Sequence, residues 1–122
     1  MKKKSSTKFF VYAQNNSYGH FDVSEQEGIC EYVIIEAQTA KQANDRARSI
    51  GLYFDGVEAD IDCPCCGDRW YEVDEGDGTD EPTIFGIPVE QMKMSIFMEA
   101  CFVHYADGTF KKIDFKKTEE DV

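Results

Sequence analysis

The residues best suited to chemistry crowd into one stretch, Asp62-Cys63-Pro64-Cys65-Cys66-Gly67-Asp68-Arg69-Trp70, which holds three of the five cysteines. Cys63-Pro64-Cys65-Cys66-Gly67 has the form C-P-x-C-G, one half of a zinc ribbon. Pro64 fixes φ and starts a tight turn. Two intervening residues let Cys63 and Cys66 aim their sulfurs at one point, and Gly67 lets the backbone curl beneath them. The second C-x-x-C of a ribbon is absent from the sequence. A structural zinc takes four ligands, so the candidates to join Cys63 and Cys66 are Cys65, Cys30, Cys101, His20 and His104. Cys65 lies in the turn itself, and Cys30 opens a predicted central strand after Gly28. These two are preferred to the histidines. Cys101 falls next to the predicted core face, and His104 beside Lys111 near an exposed hairpin end. The competing reading is a metal-free turn with reduced thiols.

Other chemistries fit less well. A redox C-x-x-C needs a helix N-terminus or a cation to lower its thiol pKa. Acids surround these cysteines, which works in the opposite direction. There is no G-x-S-x-G, no Walker glycine loop and no H-E-x-x-H, and neither histidine has a partner identifiable from spacing. Asp74 to Pro82 is a loop by composition, but its acids are not spaced as in a calcium loop. The chain is therefore read as non-enzymatic.

Charge points to a partner class. The formal net charge is −11. Eleven carboxylates lie between Asp55 and Glu81 against Arg69 alone, a net −10 in that stretch. Such a field repels nucleic acid and attracts basic surfaces. The expected contacts are Glu72, Asp74, Glu75 and Asp77, on a loop beyond the rigid turn, with Trp70 and Tyr71 as apolar anchors. The bland alternative leaves Trp70 in the core and the acids merely solvated.

The elements around this stretch read as one domain over 1–122: a basic flexible start at 1–7, a core at 8–115 and a flexible tail at 116–122. At 42% apolar and 13% aromatic the chain is globular. No apolar run reaches membrane-spanning length and the basic start lacks an apolar signal segment, so a cytoplasmic protein is expected. Phe9–Ala13, His20–Val23 and Tyr32–Ile35 read as strands, the last apolar on both faces and so central. Thr39 starts a helix with Gln42 completing a capping box; Ala40, Ala43, Ala47 and Ile50 face inward, Asn44 outward, and Gly51 ends it. Trp70–Val73 and the alternating Met92–Tyr105 are further strands. Asp107-Gly108 predicts a two-residue hairpin turn pairing Phe102 with Ile113, Ala100 with Phe115 and His104 with Lys111. Met98, Phe102, Ile113 and Phe115 would then share one core face. The expected fold is α+β: an antiparallel sheet of about five or six strands, one packed helix and a zinc-knuckle insertion.

Residues 9–72 resemble a family of small bacteriophage proteins. Phe10-Val11-Tyr12, Gln14-Asn15-Asn16-Ser17, Val33-Ile34-Ile35-Glu36-Ala37, Gly51-Leu52-Tyr53-Phe54-Asp55-Gly56 and the Asp62–Trp70 block carry the resemblance. It implies a phage accessory product in the host cytoplasm and no particular reaction. The expected function is a zinc-stabilised acidic protein that binds a basic protein partner, in its sharpest form inhibiting a host nucleic-acid or defence enzyme. The alternatives are a phage structural or assembly module, and a metal-dependent enzyme or small-nucleotide binder.

Overall fold

The computed structural model describes residues 7–15, 21–93 and 99–115. Its elements are β1 (Lys8–Ala13), β2 (Tyr32–Ala37), α1 (Ala40–Ile50), β3 (Thr83–Ile84), β4 (Ile87–Pro88), β5 (Ala100–His104) and β6 (Phe110–Asp114). The fold is α+β, with one helix, a four-stranded sheet ordered β1-β2-β5-β6 and a separate β3-β4 pair. The large sheet is mixed, because β2 and β5 run parallel. That follows from connectivity: the chain between them returns through α1, the cysteine turn and the β3-β4 hairpin, and so makes a crossover.

The sheet is covered on both faces, as the two-sided apolar β2 requires. On one face Phe10, Tyr12, Val33 and Ile35 pack under Ala40, Ala43 and Ala47 of α1, together with Leu52, Phe54, Trp70 and Val73. On the other, Ile34, Cys101 and Val103 pack with Ile84, Val89, Met92 and Phe115. The small alanines let α1 lie close on the strands.

The helix begins and ends as its sequence dictates. Gln42 N–H donates to Thr39 Oγ1 at 3.1 Å, while the Gln42 amide oxygen accepts from Gln38 N–H rather than from Thr39. Gly51 takes φ 124°, and Leu52 N–H reaches back to Ala47 O at 2.9 Å, closing a Schellman-type end. Asn44 is buried rather than wet. Its Oδ1 accepts from Tyr12 Oη–H at 2.8 Å and Val73 N–H at 3.0 Å, and its Nδ2 donates to Val73 O at 3.1 Å.

Several expected strands change. Residues 21–23 are not a strand; instead Ser24 and Ile29 exchange backbone bonds around a turn. Trp70–Val73 is not a strand either, because the Asn44 side chain takes both Val73 backbone groups. Of the long strand over Met92–Tyr105 only Ala100–His104 is observed, with 94–98, and so Met98, outside the described residues.

The β5-β6 register differs by one from the expected pairing: Cys101 faces Ile113, Phe102 faces Lys112 and His104 faces Phe110. The turn is a three-residue loop. Gly108 N–H donates to Tyr105 O at 3.0 Å, Tyr105 N–H donates to Thr109 O at 2.8 Å, and Gly108 alone there takes positive φ. Asp107 Oδ1 accepts from Thr109 N–H and Oγ1–H, stabilising this longer form. Phe102 therefore lies on the α1 face of the sheet, with Ile113 and Phe115 on the other.

Candidate metal and partner-binding site

The cysteine turn is built on a buried polar clasp that the sequence did not advertise. Asp62 and Arg69 are both buried. Asp62 Oδ2 accepts from Arg69 N–H at 2.7 Å, Oδ1 accepts from Tyr53 Oη–H at 2.9 Å, and Arg69 Nε stands 3.7 Å from Oδ1. Arg69 Nε is also 3.2 Å from Asp22, and its Nη1 donates to Gln14 Oε1 at 2.7 Å. The buried Gln14 completes the ring, donating through Nε2 to Asp22 O and Cys30 O. From outside, Asn15 Nδ2 donates to Cys66 O at 2.6 Å, and Asp68 Oδ1 accepts from Val57 N–H at 2.9 Å. Gly56 is obligatory here: a Cβ would sit 1.7 Å from Asp62 Oδ2.

Within the clasp the knuckle geometry is present. Cys66 and Gly67 N–H both donate to Cys63 O at 3.1 Å, and Gly67 takes φ 89°. The Cys66 thiol and the N–H groups of Cys66 and Cys65 are directed at the Cys63 sulfur and hold its pKa below the ordinary thiol range. Donors aimed at a sulfur suit a thiolate, and so a metal ligand. Cys65 and Cys66 are exposed and Cys63 half-buried. The other expected ligand is not brought to the turn. The Cys30 sulfur is directed at Tyr32 O and Ala100 O, and burial raises its pKa. Among the described residues no group of three His, Cys, Asp or Glu side chains is arranged to hold a metal ion. Cys101 is core, its thiol pushed by burial to about 12. His20 lies outside the described residues.

The chain matches the domain of unknown function DUF7296 over residues 7–120. It belongs to that family. No curated protein and no solved structure matches it.

In this DUF7296 domain the expected partner-binding residues divide. Trp70 is only 2% exposed and packs in the core beneath the turn, so the anchor role expected of it does not hold. Its neighbour Tyr71 is 54% exposed. Glu72 pairs with Arg48. Glu75 Oε2 accepts from Ala40 N–H at 2.5 Å and so caps α1, a carboxylate favoured at the positive end of a helix. Asp77 Oδ2 accepts from Asp74 N–H at 2.8 Å. Glu72 and Glu75 therefore tie the loop to α1, and Asp77 closes the loop on itself. Upstream, Asp55, Glu58 and Asp60 also form no ion pair among the described residues, and all three are exposed on a compact turn beside Ile61, which is 53% exposed.

His104 is also not where sequence placed it. It is fully buried, its ring 4.9 Å from that of Phe110. Nε2 lies 2.8 Å from Gly28 O, which can only accept, so Nε2 carries the proton. Nδ1 has no hydrogen-bond partner among the described residues. Burial holds the pKa of His104 below the usual imidazole range. No helix of the described residues is long and apolar enough to cross a membrane.

Proposed function

We propose that the chain is a non-enzymatic binding module that docks a basic protein surface on its 55–61 turn. One observation carries this reading. Asp55, Glu58 and Asp60 stand exposed beside a shallow cleft of about 270 Å³, lined in part by Leu52, Tyr53, Phe54, Ala59 and Ile61. A partner lysine or arginine fits such a place: its stem lies on Ala59 and Ile61 while its head meets Asp55. Arg48, at the rim of that cleft, is already neutralised by Asp45 and Glu72. The rigid clasp behind the turn lowers the ordering cost of binding. The resemblance to bacteriophage proteins supports an accessory product of that origin, occupying the basic groove of a host nucleic-acid or defence enzyme in the host cytoplasm.

The same reading keeps zinc on the cysteine turn, through Cys63 and Cys66 beside Cys65. The N–H donors on Cys63 support it. Elemental analysis of protein purified without added metal should give about one zinc per chain, and free titration of Cys63, Cys65 and Cys66 in the folded state overturns the assignment.

The docking reading is tested by reversing Asp55, Glu58 and Asp60 to lysine together. Capture of a partner from bacterial lysate should be lost with the circular dichroism unchanged, and wild-type association should slow as salt rises. Unchanged capture and salt dependence in the reversed protein defeats the reading.

A further inference from the structure

The two edges of the large sheet are treated differently. The outer edge of β1 is met at its two ends. Phe9 exchanges backbone bonds with Thr79 at 2.8 and 3.0 Å, and Asn15 N–H donates to Arg69 O at 2.8 Å. The acidic stretch around residues 69–79 is thereby attached at this edge.

The outer edge of β6 is open. Tyr105 N–H to Thr109 O and Phe115 N–H to Glu99 O, both 2.8 Å, set the phase of the β5-β6 ladder. Lys111, Ile113 and Phe115 thus bond inward to β5. The N–H and C=O groups of Phe110, Lys112 and Asp114 face outward, with no backbone partner among the described residues. Unpaired strand groups of this kind are a template for another strand.

What covers this edge is written in its charges. Lys112-Ile113-Asp114 is self-complementary when laid antiparallel against itself. We propose that β6 pairs antiparallel with β6 of a second copy about a two-fold axis at Ile113, joining two four-stranded sheets into one. Lys112 then lies opposite Asp114 of the second copy, and Asp114 opposite Lys112 of the second copy. These are outward-facing residues, so both pairs fall at hydrogen-bonded positions of the new ladder. Ile113 meets its own copy between them. Shifting the register to place Lys112 against Lys112 would oppose like charges, which is unfavourable. Edge lysines ordinarily deter pairing; here each finds a carboxylate. Within one chain Lys112 is already 2.8 Å from Glu25 and 4.0 Å from Asp114, whose side chain is 80% exposed, so the edge is close to neutral. The acidic stretch lies at the far edge, away from the two-fold.

Sedimentation of the full chain over a wide concentration series tests the proposal, at near-physiological salt. The wild type should show a reversible monomer–dimer equilibrium. Asp114→Lys sets lysine against lysine at two places and should weaken the dimer by about tenfold or more. With Glu25→Gln added to remove the acid beside position 112, the exchange Lys112→Asp with Asp114→Lys rebuilds both pairs in reverse and should restore it. A wild type that stays monomeric overturns the proposal. So does a dimer indifferent to Asp114→Lys, or one that the exchange fails to restore.

Discussion

Replacing Asp62 with alanine asks whether the polar clasp holds the cysteine turn in place. The Asp62 carboxylate is wholly enclosed and accepts from Tyr53 Oη–H at 2.9 Å and Arg69 N–H at 2.7 Å. Alanine orphans both donors. It also leaves the buried guanidinium of Arg69 with Gln14 and with Asp22, whose carboxylate is half in water and well screened. Removing one partner of a buried ion pair costs about 3–5 kcal/mol, and the two lost acceptors fall within that figure. For a domain of this size each kcal/mol moves the midpoint by roughly 3–6 °C. The expected fall in Tm is therefore roughly 10–30 °C, read by thermal denaturation of metal-free protein. Adding Arg69→Met removes the stranded charge and should recover about 1–2 kcal/mol. If Asp62→Ala costs less than about 1 kcal/mol in metal-free protein, the clasp is not what holds the turn.

Three further outcomes are expected. Burial lowers the folded-state pKa of His104, so below about pH 6.5 the unfolded chain binds a proton that the folded chain refuses. Stability should accordingly be full above that pH and decline as pH falls toward the folded value, and urea titrations that show no such decline from His104 contradict its burial as a neutral ring. Phe102→Ala should cost about 3–5 kcal/mol in the same titrations, since the ring is buried and packs edge-on against Phe110. Phe85 sits at φ 55° on the β3-β4 turn, 76% exposed, a backbone state that a bulky residue tolerates poorly. Phe85→Asn should leave stability unchanged or raise it by about 0.5–1 kcal/mol, and a clear loss would mean that its edge contact with Tyr32 outweighs the strain.

Local signals were legible where one short segment decides the outcome. Thr39, Gln42, Gly51 and the alanine spacing suffice for α1, and the unbroken Val33-Ile34-Ile35 run suffices for a central strand buried on both faces. The misreadings arise where distant groups decide. Asn44 looks like a wet-face residue until Val73 supplies the backbone groups that its amide satisfies. Asp107-Gly108 has the composition of a two-residue turn, and only the Thr109 bonds to Asp107 select the longer loop that shifts the register. At the candidate site the knuckle spacing was visible, whereas the clasp was not. Asp62 and Arg69 read as two more surface charges in an acidic stretch, because their burial depends on Gln14 and Asp22, far away in sequence. The same closure draws Trp70 inward and assigns Glu72 and Glu75 to α1, which moves the candidate contact surface upstream to residues 55–61.

The parallel pairing of β2 with β5 also sets an order of events during synthesis. β1, β2 and α1 can associate before the rest of the chain has emerged, which covers the part of one face under α1, with Leu52, Phe54, Trp70 and Val73 joining it next. The other face, with Ile34 at its centre, stays bare until β3, β4 and then β5 have emerged. Contacts separated by so much chain form slowly, because the intervening loop must first be closed. A nascent or truncated chain that ends before Ala100 therefore presents a half-covered sheet with an unpaired apolar strand at its rim, the form most prone to aggregate.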